Sequence, residues 1–416
     1  MIGGMDCSPV AFAPAEPKPM KAAISWPVQL TAILALSVYL HSVLWWTEPY
    51  DMQLFLRPWY EHIVHYGPIG AFAHPFSNYA PPYLYLLAGV SLTHGLIDPL
   101  YAIKLLSVAG TCFAAYAVAD LIKTMGGRPR YGLLLFILPS VVINSALLAQ
   151  CDALWAGACL LAVSAMIRGK TVRSLLWCGI AIAFKLQAIF VAPFIVGALI
   201  GRRVPLWQWT IPALVFVGSM LPAWLAGWPA WNLAMIYPAQ PSFFPVPGRL
   251  ANPWIFATMF APEAAKDYYW IGIAAAAGAS LAIAMVTSRS VGNRRAMLLL
   301  ALLSSLALPF LLPQMLERYF FLADILSLVI AISLRTRRAM FIAAAIQVAS
   351  LLTLETYLYF YLTPYLTVVG AVISTAALAA TIAAVRQSGR SADAKVEQIE
   401  GEAQKLTVGQ GALVGT

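Results

Sequence analysis

A chain of 416 residues with 61% hydrophobic and only 10% charged residues, at a mean hydropathy of +0.78, excludes a soluble globular protein and fits a polytopic membrane protein. The net charge of +9 would suggest nucleic acid in a soluble domain. Here the basic residues fall in short clusters between apolar runs, which carries orientation and is no nucleic-acid footprint.

Residues 1–27 are read as a cytoplasmic N-terminal segment, rich in Pro and Ala. The apolar run that follows is too long for a signal-peptide core and lacks a small-residue cleavage site, so it is expected as an uncleaved first transmembrane helix. Apolar stretches predict about twelve spans, at 28–46, 100–122, 131–149, 153–168, 174–186, 188–201, 208–226, 269–288, 296–312, 319–334, 339–356 and 365–385. The fold class is therefore all-α, a polytopic transmembrane helix bundle over 28–385. With the N-terminus in the cytoplasm, 20 of the 26 Lys and Arg lie inside, and only Arg57, Lys104, Lys185, Arg249, Lys266 and Arg318 lie outside or at depth. Counting 80–96 (PPYLYLLAGVSLTHGLI) as a span would invert every later loop. It is expected instead as an interfacial or re-entrant helix within a first external loop, 47–99.

That loop holds Asp51, Glu61, Asp98 and His62, His65, His74 and His94. A second external loop, 227–268, is rich in Trp, Pro and Tyr, and a short turn, LPQMLERYF, occupies 312–320. Chemistry is expected where these three meet. Residues 386–416 form an expected mobile cytoplasmic tail.

Asp51, just after the first span, suits a base that takes a proton from an attacking hydroxyl, though taken alone a solvated charge or helix cap is the more ordinary reading. In FSNYAPPYLYLL (76–87) the double proline starts an apolar helix ringed with tyrosines, a site wall or an interfacial anchor. Lys185 and Arg318 interrupt apolar sequence, and a central charge costs about 2.5–3.5 kcal/mol on insertion scales, so each needs a partner or a polar cavity. With Arg249 on the same side, these cations would suit a phosphate. The alternatives are snorkelling for Lys185 and a structural pair for Glu317. Asp152, at the end of a hairpin, either holds an acceptor hydroxyl or caps the next helix, with capping favoured. His62 and His65 have helical i, i+3 spacing but no third ligand, so no metal is expected. The five cysteines (Cys7, Cys112, Cys151, Cys159 and Cys178) include no CxxC pair and suggest neither a disulfide framework nor zinc.

Taken in order, YDMQLFLRPWY (50–60), FSNYAPPYLYLL (76–87), AIKLLSV (102–108), NSALLAQCDALWAG (144–157), IAFKLQAIFVAP (182–193) and LPQMLERYFFLADILSL (312–328) resemble a polytopic glycosyltransferase of the GT-C superfamily. The similarity is to the bacterial branch related to the eukaryotic GPI-anchor transferase of the second mannose. The resemblance implies a catalytic or acceptor-orienting acid at Asp51 and a polyprenyl-phosphate sugar donor. It further implies donor-phosphate contacts from Lys185, Arg318 and Arg249, and substrate contacts from Asn78, Tyr79, Gln150, Asp152, Gln187 and Glu317. In the bacterial relatives the late turn usually reads His-Glu-Arg-Tyr, whereas this chain has Leu316 before Glu317, Arg318 and Tyr319. A contact made by that His would be lost here.

The expected activity is inverting transfer of a hexose, mannose first among them, from a polyprenyl phosphate to a glycan or lipid acceptor hydroxyl. It would occur on the extracytoplasmic face of a bacterial inner membrane, among membrane lipids and without cofactor or metal. A lipid or glycan flippase would show an internal repeat or paired broken helices, and none is found between the two halves. A polysaccharide polymerase or ligase would lean on a large late external loop instead of the first.

Overall fold

A computed structural model describes residues 25–240, 250–260, 268–358 and 363–413, and all regular structure among them is helical. Seven stretches are long and apolar enough to cross a membrane: α1 (Trp26–Leu44), α4 (Pro99–Thr124), Leu206–Leu225 with α9 (Ile211–Leu225), α12 (Tyr269–Arg289), α13 (Arg294–Leu311), and the apolar parts of α15 (Arg337–Leu358) and α16 (Thr363–Leu413). An eighth, Pro129–Ile137 with Pro139–Leu147, bends by 62° and contains α5 (Pro139–Val142). Four more are apolar but short: α6 (Asp152–Ile167), α7 (Thr171–Phe184), Leu186–Gly201 with α8 (Ala192–Gly201), and α14 (Phe321–Leu334). These positions coincide with the twelve predicted spans. The short ones are short because the chain breaks where polar residues interrupt it, at 148–151 and at Lys185. The last helix runs on through the expected tail as far as Leu413.

The segment expected as a first external loop, 47–99, is folded. A π-helical turn (Met52–Leu56) leads into α2 (Arg57–Tyr66), and α3 (Pro81–Ser91) begins on two prolines that fit the first helical turn. At 11 residues α3 is about 16 Å long, half a bilayer core. Its Tyr83, Leu84 and Leu87 are buried in a cluster with Met52, Trp59, Tyr60 and Trp228. The helix is too short for a span. Trp228 and Leu233, the latter on α10 (Ala230–Met235), bring the second external segment into the same cluster. The helix α11 (Trp254–Phe260) is tied to the late turn, with Trp254 Nε1 donating to Leu311 O at 2.8 Å.

Behind this layer α6 is buried along almost its whole length, packed against α4 and α7. A helix apolar on all faces belongs in such a position. Elsewhere glycine sets the approach. A Cβ at Gly197 of α8 would lie 2.3 Å from Ala284 O, and one at Gly201 2.2 Å from Ser288 O, both on α12. This GxxxG spacing lets two backbones touch where lipid supplies no hydrophobic drive for helix association.

Candidate active site

A cavity of about 330 Å³ opens where segments 47–99 and 227–240 meet the late turn at 312–320. Its walls carry Asp51 from the first loop, Asn78 and Tyr79 from the turn before α3, Gln150 and Lys185 from the two helix breaks, and Glu317 with Arg318 from the late turn. Asp51, Lys185 and Arg318, far apart in sequence, therefore share one cavity, as their burial costs demanded.

The breaks position these side chains. After the π-helical turn Ile143–Leu147, Ala149 adopts φ 52°, left-handed for a residue with a Cβ. Surrounding contacts hold it there: Gln150 N donates to Asn144 O at 3.0 Å and Ser107 Oγ to Gln150 O at 2.5 Å. The Gln150 side chain is thereby aimed into the cavity. Its Nε2 donates to Asp51 Oδ2 at 3.0 Å, and its Oε1 accepts from the Tyr79 hydroxyl at 3.1 Å. Burial pushes that hydroxyl up to about 12, so it stays a donor at neutral pH.

The same Asp51 oxygen also meets Arg318 Nη2 at 2.8 Å. Arg318 Nη1 lies 3.7 Å from Glu317 Oε1, and Nε lies 3.9 Å from Asp152 Oδ2. Neither Nε nor Nη1 makes a hydrogen bond within the described protein, and Glu317 Oε2 is likewise unpartnered although buried. Lys185 donates to Asp152 Oδ1 at 2.6 Å and stands 5.1 Å from the centre of the Tyr79 ring. The site thus holds three carboxylates (Asp51, Asp152, Glu317) against two cations, all at most 14% exposed in their side chains.

Asp152 corrects the sequence reading. It makes no capping bond to the start of α6. Its carboxylate accepts from Asn144 Nδ2 at 2.8 Å, Trp155 Nε1 at 2.9 Å and Lys185. A buried ammonium nearby outweighs a helix end, since a charge left alone costs several kcal/mol and a lost cap about 1. Lys185 does not snorkel, for the same reason. Gln187 lines the cavity beside Lys185 and Leu316 beside Glu317, while Arg249 lies outside the described residues. His62 and His65 are structural: the His62 ring stacks on Phe76 at 4.3 Å, and His65 meets Tyr66 edge-on.

Two contributions escaped the sequence reading. Tyr237 and Gln240, from the segment after α10, complete the cavity wall. Lys104, fully buried on α4, donates to Leu44 O, Trp45 O and Thr47 O at 3.1, 2.6 and 2.7 Å. It closes the end of α1 and so fixes the start of the strand of chain that carries Asp51. Its isolated charge inside an apolar helix was the available signal.

Residues 62–201 match the family model described as MptA_B family, alpha-(1->6)-mannopyranosyltransferase, N-terminal domain. Over that stretch the chain is similar to alpha-(1->6)-mannopyranosyltransferases. The match supports a glycosyltransferase acting by mannosyl transfer, and the apolar helices place that activity in a membrane protein. It covers about a third of the chain. Asn78, Tyr79, Gln150, Asp152, Lys185 and Gln187 lie within it, whereas Asp51, Glu317 and Arg318 join the site only through the fold. Among curated proteins none matches the chain.

Proposed function

We propose that the chain transfers mannose from a polyprenyl phosphate to an acceptor hydroxyl on the extracytoplasmic face, with inversion at the sugar carbon. In the reaction the acceptor oxygen bonds to that carbon as the carbon–oxygen bond to the phosphate breaks, its electron pair leaving with the phosphate. Asp51 receives the acceptor's proton. Arg318 takes the charge growing on the phosphate, through donor groups that have no hydrogen-bonding partner among the described residues. Lys185, engaged by Asp152 at 2.6 Å, supports the phosphate from behind. The observation that carries the reading is this pairing, in one cavity, of a carboxylate at the mouth with a guanidinium that still has hydrogen bonds to give.

Gln150 and Tyr79 orient Asp51 in this reading, and Asn78, Gln187 and Glu317 face the sugars. No metal or cofactor is required, because the lipid phosphate is itself the leaving group. The basic clusters support an inner-membrane protein with its site outside.

The test is transfer from polyprenyl-phosphate mannose by purified wild type and Asp51→Asn. The amide keeps the size of the carboxylate and cannot accept the proton, so turnover should fall roughly 10²–10⁴-fold with donor binding retained. A folded Asp51→Asn enzyme that transfers at the wild-type rate would remove Asp51 from the chemistry.

A further inference from the structure

At the opposite end of the bundle, three cavities that share lining residues lie around α16, between it and α12, α13, α14 and α15. One, of about 670 Å³, is lined by Arg338, Arg386 and Arg390. A second, of about 210 Å³, shares Arg338 and adds Arg295. A third, of about 440 Å³, shares Arg386 and is otherwise almost wholly apolar. Among the described residues no Asp or Glu lines any of the three, and no described carboxylate forms an ion pair with these arginines. The cleft is held in shape by Asn293 Nδ2 donating to Ser388 O at 3.2 Å and Arg338 Nη1 to Gln387 Oε1 at 2.8 Å.

We infer that this cleft binds one anionic phospholipid, its phosphate among the four arginines and an acyl chain in the apolar furrow. Two features together select that occupant. Four cations without a carboxylate demand an anion, and guanidinium groups suit phosphate oxygens. The furrow runs from Leu300 to Leu311 on α13 and from Leu378 to Gly389 on α16, about 16 Å of helix, and it starts at Arg386. A free phosphate would leave it unused, whereas an amphiphile fills both parts at once. By the basic-residue asymmetry this end faces the cytoplasm, where anionic headgroups and basic pockets between helices meet.

The experiment is native mass spectrometry of the full chain released from nanodiscs of phosphatidylcholine alone or with phosphatidylglycerol. The wild type should retain one phosphatidylglycerol in preference to phosphatidylcholine. Arg338→Gln/Arg386→Gln should weaken that binding roughly 30-fold, while Arg128→Gln/Arg173→Gln, elsewhere on the basic surface, should not. Ala282→Trp fills the furrow, keeps every arginine and should also expel the lipid, which covers the case in which the double variant fails to fold. Millimolar inorganic phosphate should not displace the lipid. Equal retention by all variants, indifference to headgroup charge, or displacement by phosphate would each overturn the assignment.

Discussion

The two ends of the stretch from Lys185 to Gly201 solve opposite problems. At one end Lys185 interrupts the helix, the backbone turns extended, and a charge is buried against Asp152. At the other, Gly197 and Gly201 leave the helix regular and press it onto the backbone of α12, beside Thr287 and with no charge between the helices. The contrast holds across the molecule. The π-helical turns at Met52–Leu56 and Ile143–Leu147, the left-handed Ala149 and the break at Lys185 all adjoin the cavity. Irregular backbone is tolerated at membrane depth where it lines a polar cavity, and straight helices where only apolar surface must be matched. Changes at the first end should therefore strike charge balance and turnover, and changes at the second should strike packing alone.

The largest effect is expected at Asp152→Ala. It strips a buried ammonium of its partner, and breaking such a pair costs about 3–5 kcal/mol. Thermal unfolding in detergent should show a large loss of stability, restored in part by the second change Lys185→Met, which removes the orphaned charge. If Asp152→Ala unfolds with the wild type, Lys185 has another partner and the charged core of the site is misdrawn.

Next comes Arg318→Ala. Removing a donor that meets charge developing in the transition state costs about 10²–10³-fold in turnover. Because in the proposed mechanism the same cation would also hold the donor phosphate in the ground state, the KM for polyprenyl-phosphate mannose should rise together with the fall in kcat. Arg318→Lys should recover only part, since an ammonium cannot reach Asp51 and a phosphate with the spacing of a guanidinium. A full recovery would make Arg318 a simple charge.

Much of this contrast was legible in the residues, and unequally. The bundle followed from the apolar runs, because a bilayer needs about 20 such residues per span and little else satisfies the pattern. The cavity's charged members stood out for the complementary reason, each being an expensive exception in apolar sequence. Which exception pairs with which was invisible. Asp152 read as a cap because a carboxylate at a helix start has that local use, and only the fold puts Lys185, 33 residues later, against it. Tyr237 and Gln240 carried no local mark at all, being ordinary residues of a segment rich in aromatics and proline. Lys104 was conspicuous, yet its partners are backbone carbonyls of α1, which no side-chain pattern announces.

At the packed end, Gly197→Val sharpens the comparison. Its side chain would meet Ala284 O and Cα, backbone that cannot rotate away, so the helices must separate at a cost of about 1–3 kcal/mol. The melting temperature should drop while transfer measured well below it keeps the wild-type rate and KM. A selective loss of turnover in folded Gly197→Val protein would show that the seam is coupled to the cavity.

The smallest effect is expected at Tyr79→Phe, and it separates positioning from packing within the site. The ring stays, so the aromatic face 5.1 Å from Lys185 Nζ is kept, while the hydroxyl that donates to Gln150 Oε1 at 3.1 Å is lost. One neutral hydrogen bond is worth about 1 kcal/mol, so a roughly fivefold fall in kcat is expected as Gln150, freed on one side, holds Asp51 less firmly. Since the Tyr79 hydroxyl is pushed up to about 12 by burial, it does not titrate in the working range. The variant should accordingly keep the shape of the wild-type pH–rate profile between pH 6 and 9 at a lower plateau. A new inflection there would mean that Tyr79 exchanges a proton during turnover, and the chain from Tyr79 through Gln150 to Asp51 would then be a proton path and not a brace.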